Sequence, residues 1–581
     1  MRFYIRRLWL IIPYLAMIQC SEPYDLPPGA PDNGGLFLPG NFEALVVVDS
    51  LEGQARHIAV NDYGDIYVKL KLTSKGGGCT ALRDTNRDGK ADVIEQFAKY
   101  DTTGRYSLQT GARVHNGYLY FSSELAVYRY KLNADELVPS SEMETIVIDD
   151  HEHGRHEHIA KPITFDDQGY MYIPFGAPSN ACQEPKRTPG VPGMDPCPQL
   201  VDHGGIWRFD ADKPNQTQKD GYKFATGIRS VVAMDWNPAD KELYVVIHGR
   251  DDLLRLFAGV YSPWQSAELP SEEFVRVTDG SNFGWPYCYY DQIQEQKVLA
   301  PEYGGDGNIV GRCGAFDLPL IGFPGHWAPN DLLFYHGDQF PKRYRGGAFI
   351  AFHGSTNRAP YPQAGYFICF VPFKNGEPTG EWEVFSDGFA QVDPIVNVSD
   401  AVYRPMGLAV GPDGSLYIGD TEKGKIWRVM YKGRRWNFGK KNLKSMEERK
   451  LRAHIRKPDI VNDNLQKDKP AEGKLVYSTY CGTCHQMDGK GDSGRFPSLV
   501  ATDWVTGDKE RLVRIVLNGM EGSIEVNGAF YSGLMPQHSF LSDEDVAQVL
   551  TYIRQNFGNE ASEVIPEEVK EIRSSLNNAG S

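Results

Sequence analysis

Two thiols three positions apart, Cys481 and Cys484, with an imidazole directly after the second in Cys481-Gly482-Thr483-Cys484-His485, form the most chemically specific arrangement in this 581-residue chain. A lone C-x-x-C serves as a redox dithiol or as half of a zinc site. Here the histidine follows at once and no second C-x-x-C occurs anywhere, so the motif reads as the attachment signature of c-type haem. The thiols would add to the haem vinyl groups and His485 would take one axial position on iron. The sixth ligand is expected from a later loop. Met535, in Gly533-Leu534-Met535-Pro536, is the favoured candidate, with Met520 and His538 as rivals. Iron held this way carries single electrons, so the long upstream region must supply or use them.

Two further constellations lie upstream. Asp84-Thr85-Asn86-Arg87-Asp88-Gly89-Lys90-Ala91-Asp92-Val93-Ile94-Glu95 matches the calcium-loop pattern D-x-[DN]-x-[DN]-G-x5-E at every position. Asp84, Asn86 and Asp88 would give single oxygens, Lys90 a carbonyl, Asp92 a direct or water-borne ligand and Glu95 two oxygens, with Gly89 at the sharp turn. The flanks are not clearly paired helices, so a structural Ca2+ loop in a connection is expected. His151-Glu152-His153-Gly154-Arg155-His156-Glu157-His158 holds four histidines in eight residues. That run suits a general base, a transition-metal site or a solvated loop.

The elements needed to position these groups differ along the chain. Around the thiols the pattern is helical. Lys474 to Tyr477 leads in, Lys509 to Asn518 is amphipathic and stopped by Gly519, and Ser542 to Asp545 is a capping box opening a helix with Val546, Val549, Leu550 and Ile553 on one face, ended by Gly558. Three such helices fit a small all-α cytochrome c over 471–560, with 561–581 as a tail. Residues 40–432 are rich in glycine, proline and aromatics. A strand–turn–strand signal recurs there: His57 to Leu70, Ala112 to Phe121, Pro162 to Gly176, Met234 to Gly249, Leu332 to Phe352 and Gly407 to Asp420. Six units of about 65 residues exceed the ~40–50 of a minimal blade but fit blades with long loops. The fold class is therefore mainly β, a six-bladed β-propeller followed by the cytochrome; a pair of β-sandwiches is the alternative. The basic segment 433–470 reads as a linker, partly helical around Ser445 to Ile455.

Arg2, Arg6 and Arg7 precede an apolar run from Leu8 to Ile18, and Cys20 follows, the layout of a lipoprotein-type secretory signal over 1–19 that is too short to span a membrane. Residues 20–39 read as a tether, and membrane association is expected only through lipid on Cys20. Loss of the signal takes the formal charge from −15 to −18, which argues against a nucleic-acid partner. An exported chain permits disulfides, and Cys182/Cys197 and Cys288/Cys313 are the closest pairs.

Several stretches resemble the PQQ-dependent glucose/sorbosone dehydrogenase family. They are His203-Gly204-Gly205-Ile206-Trp207-Arg208-Phe209, Ala225-Thr226-Gly227-Ile228-Arg229, His248-Gly249-Arg250-Asp251, Gly284-Trp285-Pro286-Tyr287, His353-Gly354-Ser355-Thr356-Asn357-Arg358, Arg404-Pro405-Met406-Gly407-Leu408 and Gly411-Pro412-Asp413-Gly414. The resemblance covers most of 40–432 and implies a propeller holding PQQ and Ca2+ on its axis. It also implies oxidation of an aldose or related sugar or alcohol, with electrons passed to an acceptor. By the same resemblance His158 falls at the base, Arg229 beside the quinone, the Gly249 and Arg250 carbonyls at Ca2+, and Arg358, Arg404 and His326 in loops that reach the cofactor. Ser230 stands where many members carry asparagine.

Three functions compete at this point. One is an exported dehydrogenase that feeds its own haem and, beyond it, a cytochrome or membrane redox chain. Another is a glycan-binding propeller with a separate electron-transfer cytochrome. The third is a Ca2+-dependent propeller hydrolase or lactonase. Only the first gives the iron work to do, because a two-electron donor beside a one-electron carrier forms a relay.

Overall fold

A computed structural model describes residues 26–71, 78–100, 110–152, 156–459, 472–492 and 495–579. The signal segment and Cys20 lie outside them.

Six antiparallel sheets of four strands, one extended by a short fifth, form six blades. Each of the six sequence-read hairpins proves to be the two inner strands of one blade: Ala55–Val60 with Ile66–Leu70, Ala112–His115 with Tyr118–Ser122, Thr164–Phe165 with Tyr170–Phe175, Val231–Asn237 with Glu242–Ile247, Pro329–Phe334 with Ala348–Phe352, and Pro405–Val410 with Leu416–Asp420. These strands are buried on both faces, which is why they read as apolar runs broken by Gly/Asp/Asn turns. The sheets form a ring rather than a pair of sandwiches. The ring closes by pairing the N-terminal strand Phe42–Val48 with Ile426–Tyr431 of the last blade. Phe42 locks this latch edge-on against Phe340, Tyr344 and Phe385 of the preceding blade, at centroid separations of 4.8, 5.4 and 5.2 Å.

At the hub, buried Asp331 ties four inner strands together. It accepts Arg113 Nη2 at 2.9 Å and the Leu332 and Leu408 amides at 2.9 and 2.8 Å, and it lies 3.4 Å from His57 Nε2. Arg113 and His57 hold its carboxyl below the usual range although burial works the other way.

The segment between the domains is less of a linker than its composition implies. Helix Lys440–Arg449 lies along strand Glu383–Ser386, and Met446 and Ile455 enter the same core as Trp327 and Phe352. His454 donates to Asp387 at 3.0 Å, and Arg449 pairs with the same carboxylate. Part of the expected tether is likewise built in, with Leu36 buried and Phe37 bridged to Asp387.

The cytochrome region contains the three expected helices, with Ser542 capping Asp543–Gln555 through the predicted box. Two features correct the all-α and tail expectations. A hairpin, Met520–Val526 with Ala529–Met535, turns at Asn527-Gly528, both with positive φ. That dipeptide is a strong hairpin signal. Residues 561–581 hold helix Pro566–Ala579, whose Val569 is fully buried against the other helices. Both disulfides, Cys182–Cys197 and Cys288–Cys313, are formed.

Candidate functional site

In the cytochrome region, helix Glu472–Val476 runs into a π-turn over Tyr477–Cys481 and then Gly482–His485. A wide turn of this kind is frequent at functional sites. Cys481 and Cys484 are half-buried free thiols. His485 Nδ1 donates to the Pro497 carbonyl at 2.9 Å, which leaves Nε2 unprotonated and free to bind iron. Gly491 lets the next loop close, since a Cβ there would lie 2.2 Å from the Phe496 carbonyl. Met535 ends the hairpin in register with Met520 and packs on the domain's apolar core. His538 is buried with neither ring nitrogen hydrogen-bonded, and it lies close enough to His485 for their charges to interact. Two free thiols, one histidine with its tautomer set and a choice of sixth ligand fit a c-type haem.

The propeller site follows from strand direction. In each blade the innermost strand begins, and the next one ends, at the same edge of the sheet. His158, Arg229, His326 and Arg404 precede inner strands, whereas Lys71, Ala177, Gly249 and His353 follow second strands. All eight therefore meet at one mouth of the ring.

His158 Nδ1 donates to the Ala177 carbonyl at 2.7 Å, leaving Nε2 as the acceptor. Burial, then the charge of Arg229, press its pKa well below the ordinary histidine value. Gly176 permits this approach, because a Cβ there would sit 2.3 Å from the His158 carbonyl. The Ala177 amide donates to the Arg229 carbonyl at 2.8 Å, so one residue locks the base to the arginine. Arg229 Nη2 donates to Asp251 at 2.6 Å and Nη1 to the Gly249 carbonyl at 2.7 Å, while its buried Nε has no partner. Asp251 also accepts Asn357 at 2.6 Å and Arg187 at 3.1 Å. Burial opposes its charge, yet Arg229 and Arg187 hold the carboxyl far below the usual range. His326 Nε2 donates to the Ser266 carbonyl at 2.9 Å, and the ring lies in the field of Asp251.

Farther round the mouth stands a surplus of positive charge. Arg404 donates to the Gly354 and His353 carbonyls at 2.6 and 3.2 Å and reaches Glu422 only at 3.4 Å. Arg56 is buried with Nε unpartnered, and burial followed by Arg404 brings its pKa down to about 10. Lys71 falls to about 8 through burial and then Arg56. Neighbouring cations, with the Arg56 Nε unpartnered, fit a polycarboxylate ligand.

Several expectations need correction. Arg358 is spent on structure: it pairs with buried Glu268 at 2.9 Å and donates to the Gly325 and Pro362 carbonyls, both at 3.2 Å. The Arg250 guanidinium pairs with buried Glu302, which does not bear on the backbone carbonyl expected at Ca2+. The Gly249 carbonyl faces the site and accepts Arg229 Nη1 at 2.7 Å, with a second lone pair remaining. The Asp84–Glu95 loop joins antiparallel strands, which carry Glu95 into the ladder opposite Ala81. Asp84 and Asp88 there accept the Gly89 and Lys90 amides, and Asp92 accepts Thr85. Among the described residues no three His, Cys, Asp or Glu side chains converge as metal ligands. Of the histidine run, 153–155 lie outside the described residues. His151 pairs with Asp149 at 2.7 Å, and His156 meets the Gly176 carbonyl at 2.9 Å. Sequence reasoning passed over Arg56, Lys71, Arg187 and Asp251. Only Asp251 carried a signal, closing the His248-Gly249-Arg250-Asp251 stretch, where it was given no role.

The TrAA12-like family model matches residues 38–432, and the cytochrome c model matches 470–557. The chain belongs to the TrAA12-like family and carries a cytochrome c domain. The calcium structure of the Trichoderma reesei Carbohydrate-Active Enzymes Family AA12 protein superposes with a TM-score of 0.54 at 18% identity, covering 68% of this chain and 97% of that one. The holo pyranose dehydrogenase PQQ domain of Coprinopsis cinerea gives 0.54 at 17% identity, covering 70% and 98%. These likenesses establish the six-bladed fold. Cytochrome c-552 of Thermus thermophilus is 38% identical over 113 residues, 18% of this chain and 85% of that protein. The cytochrome subunit of Gluconobacter japonicus fructose dehydrogenase is 31% identical over 110 residues. An uncharacterised Borreliella burgdorferi protein is 30% identical over 209 residues, and the match spans 48% of its length.

Proposed function

We propose that this TrAA12-like protein is an exported, PQQ-dependent sugar dehydrogenase that passes electrons to its own c-type haem. The observation that carries the reading is His158, a neutral imidazole with Nε2 free, locked through Ala177 to Arg229 on the mouth that also holds Arg56, Lys71 and Arg404. Bound PQQ would supply a quinone that takes hydride from an alcohol carbon. The chain's own residues do the rest. His158 Nε2 takes the hydroxyl proton, a contribution of about 10²–10⁴ in rate. Arg229 polarises the oxygen that gains charge. Arg56, Lys71 and Arg404 hold carboxylates, and Asp251 fixes Arg229 in place.

Ca2+, which the family resemblance implies, would be held by the Gly249 and Arg250 carbonyls and would polarise the quinone. Each alcohol carbon releases two electrons and two protons, whereas iron takes one electron, so two electrons leave in turn to an external one-electron acceptor. An aldose or related alcohol is the substrate class, supported by the pyranose dehydrogenase likeness. Arg2 to Cys20 supports export and a lipid anchor.

The test loads the purified haem protein with PQQ and Ca2+ and follows the haem spectrum as aldoses are added. Appearance of the reduced band is the expected result. Absence of PQQ binding together with no reduction by any sugar overturns the reading.

A further inference from the structure

The propeller turns one side chain toward the haem pocket. Strand Glu242–Ile247 ends at the mouth, and after Asp251 the chain enters the short helix Leu253–Leu256, which touches the π-turn Tyr477–Cys481 of the cytochrome. Arg255, only 6% exposed, clasps Asp252 with two donors, Nε at 2.9 Å and Nη2 at 2.7 Å. Its Nη1 is buried with no partner. Its helix packs on the turn that ends at Cys481, three residues before Cys484. A guanidinium anchored on one side and unsatisfied on the other, beside two free thiols, is placed to meet the porphyrin those thiols would carry, at its edge or over its π-face.

The anchor continues inward. Asp252 also accepts Arg187, Arg187 reaches Asp251 at 3.1 Å, and Asp251 holds Arg229 at 2.6 Å. Arg187 further pairs with Glu157, the neighbour of His158, at 2.7 Å. Nearby, Met487 of the cytochrome donates its amide to Asn397 of the propeller at 3.1 Å, a second point of fixation.

We propose that Arg255 is the positioning residue between the two redox sites: anchored on Asp252, it seats the thioether edge of the haem against the propeller, at the end of an unbroken ion-pair chain that begins at Arg229. The inference rests on the haem half of the reading above and deepens its quinone half. Rigid placement of donor and acceptor makes electron transfer reproducible from turnover to turnover, and a cation against the haem favours the reduced iron.

The test compares Arg255→Met and Arg255→Lys in the full-length haem protein. Spectroelectrochemical titration of the haem needs no quinone. Arg255→Met is expected to lower the midpoint potential, and Arg255→Lys to restore most of it. In PQQ-loaded protein, Arg255→Met is expected to slow sugar-driven haem reduction at least ~10-fold, while sugar-driven reduction of a small soluble dye stays within about twofold. Unchanged potential and unchanged haem reduction in Arg255→Met overturn the proposal. If the protein binds no quinone, the reading of its function fails but the potential still decides the role of Arg255. If Arg255→Met does not fold, the lysine variant is read in the same two ways, and a potential and rate equal to wild type overturn the proposal.

Discussion

The haem pocket and the propeller mouth are built on opposite plans. The haem's attachment thiols and proximal ligand lie within five consecutive residues, and the sixth-ligand candidates Met520, Met535 and His538 all come from the hairpin and the turn just after it. The mouth draws Arg56, His158, Arg229, Asp251 and Arg404 from four blades across some three-fifths of the chain. A pocket made of one short segment survives on local geometry alone. A mouth made of strand ends exists only while the ring is closed.

The largest effect should come from the local plan. Cys481→Ala with Cys484→Ala abolishes covalent haem, read as loss of the haemochrome band, while the propeller's thermal transition and its PQQ binding persist. Loss of the propeller transition as well would break the contrast. His158→Ala should keep haem and PQQ yet cut sugar-driven haem reduction by about 10²–10⁴; an effect below tenfold assigns the base elsewhere.

The two arginines that the family resemblance treated alike should separate. Arg358→Met leaves Glu268 buried without its partner and should cost about 3–5 kcal/mol of stability, seen in denaturant unfolding. Arg404→Met should instead weaken PQQ binding by about 10–100-fold with a smaller change in stability, since it removes charge-assisted hydrogen bonds of about 1.5–3 kcal/mol. Equal loss of stability in both would merge their roles.

The smallest effect is in pH. Burial and Arg229 lower the folded pKa of His158, so the base stays neutral as pH falls through the usual histidine range near 6.5. The acid limb of kcat/KM should therefore lie below that range. The folded state binds fewer protons there than the unfolded chain, so this group's contribution to stability declines as pH drops below the unfolded value. An acid limb at or above 6.5 would remove His158 from the role of base.

Much of the architecture was legible. Inner hairpins are buried on both faces and separated by turn residues that need positive φ, so their signal is local. The capping box at Ser542 and the stop at Gly519 are local too. The hairpin at Asn527-Gly528 was equally local and was missed because Met520 to Met535 is not strongly apolar and sits between helices. Helix Pro566–Ala579 and helix Lys440–Arg449 look like polar tails because few of their residues are buried. Val569 and Met446 acquire meaning only from the surfaces beneath them.

The calcium-loop pattern fixes residue types and not their surroundings. Its flanks are antiparallel strands, as a connection between strands requires, and Glu95 pairs in the ladder opposite Ala81 with its side chain exposed. The amino-acid sequence by itself determined the haem chemistry, the blade count and the residue types available to a base, because thiol spacing, turn residues and strand alternation act over a few residues. Only the tertiary structure decided which arginines are free. Arg358 and Arg404 sit in similar glycine-flanked stretches, and a buried glutamate 90 residues away from the first consumes it. The ion-pair chain from Arg229 through Asp251, Arg187 and Asp252 to Arg255 was likewise a tertiary outcome. Charge pairing depends on distance in space, and ring closure sets that distance.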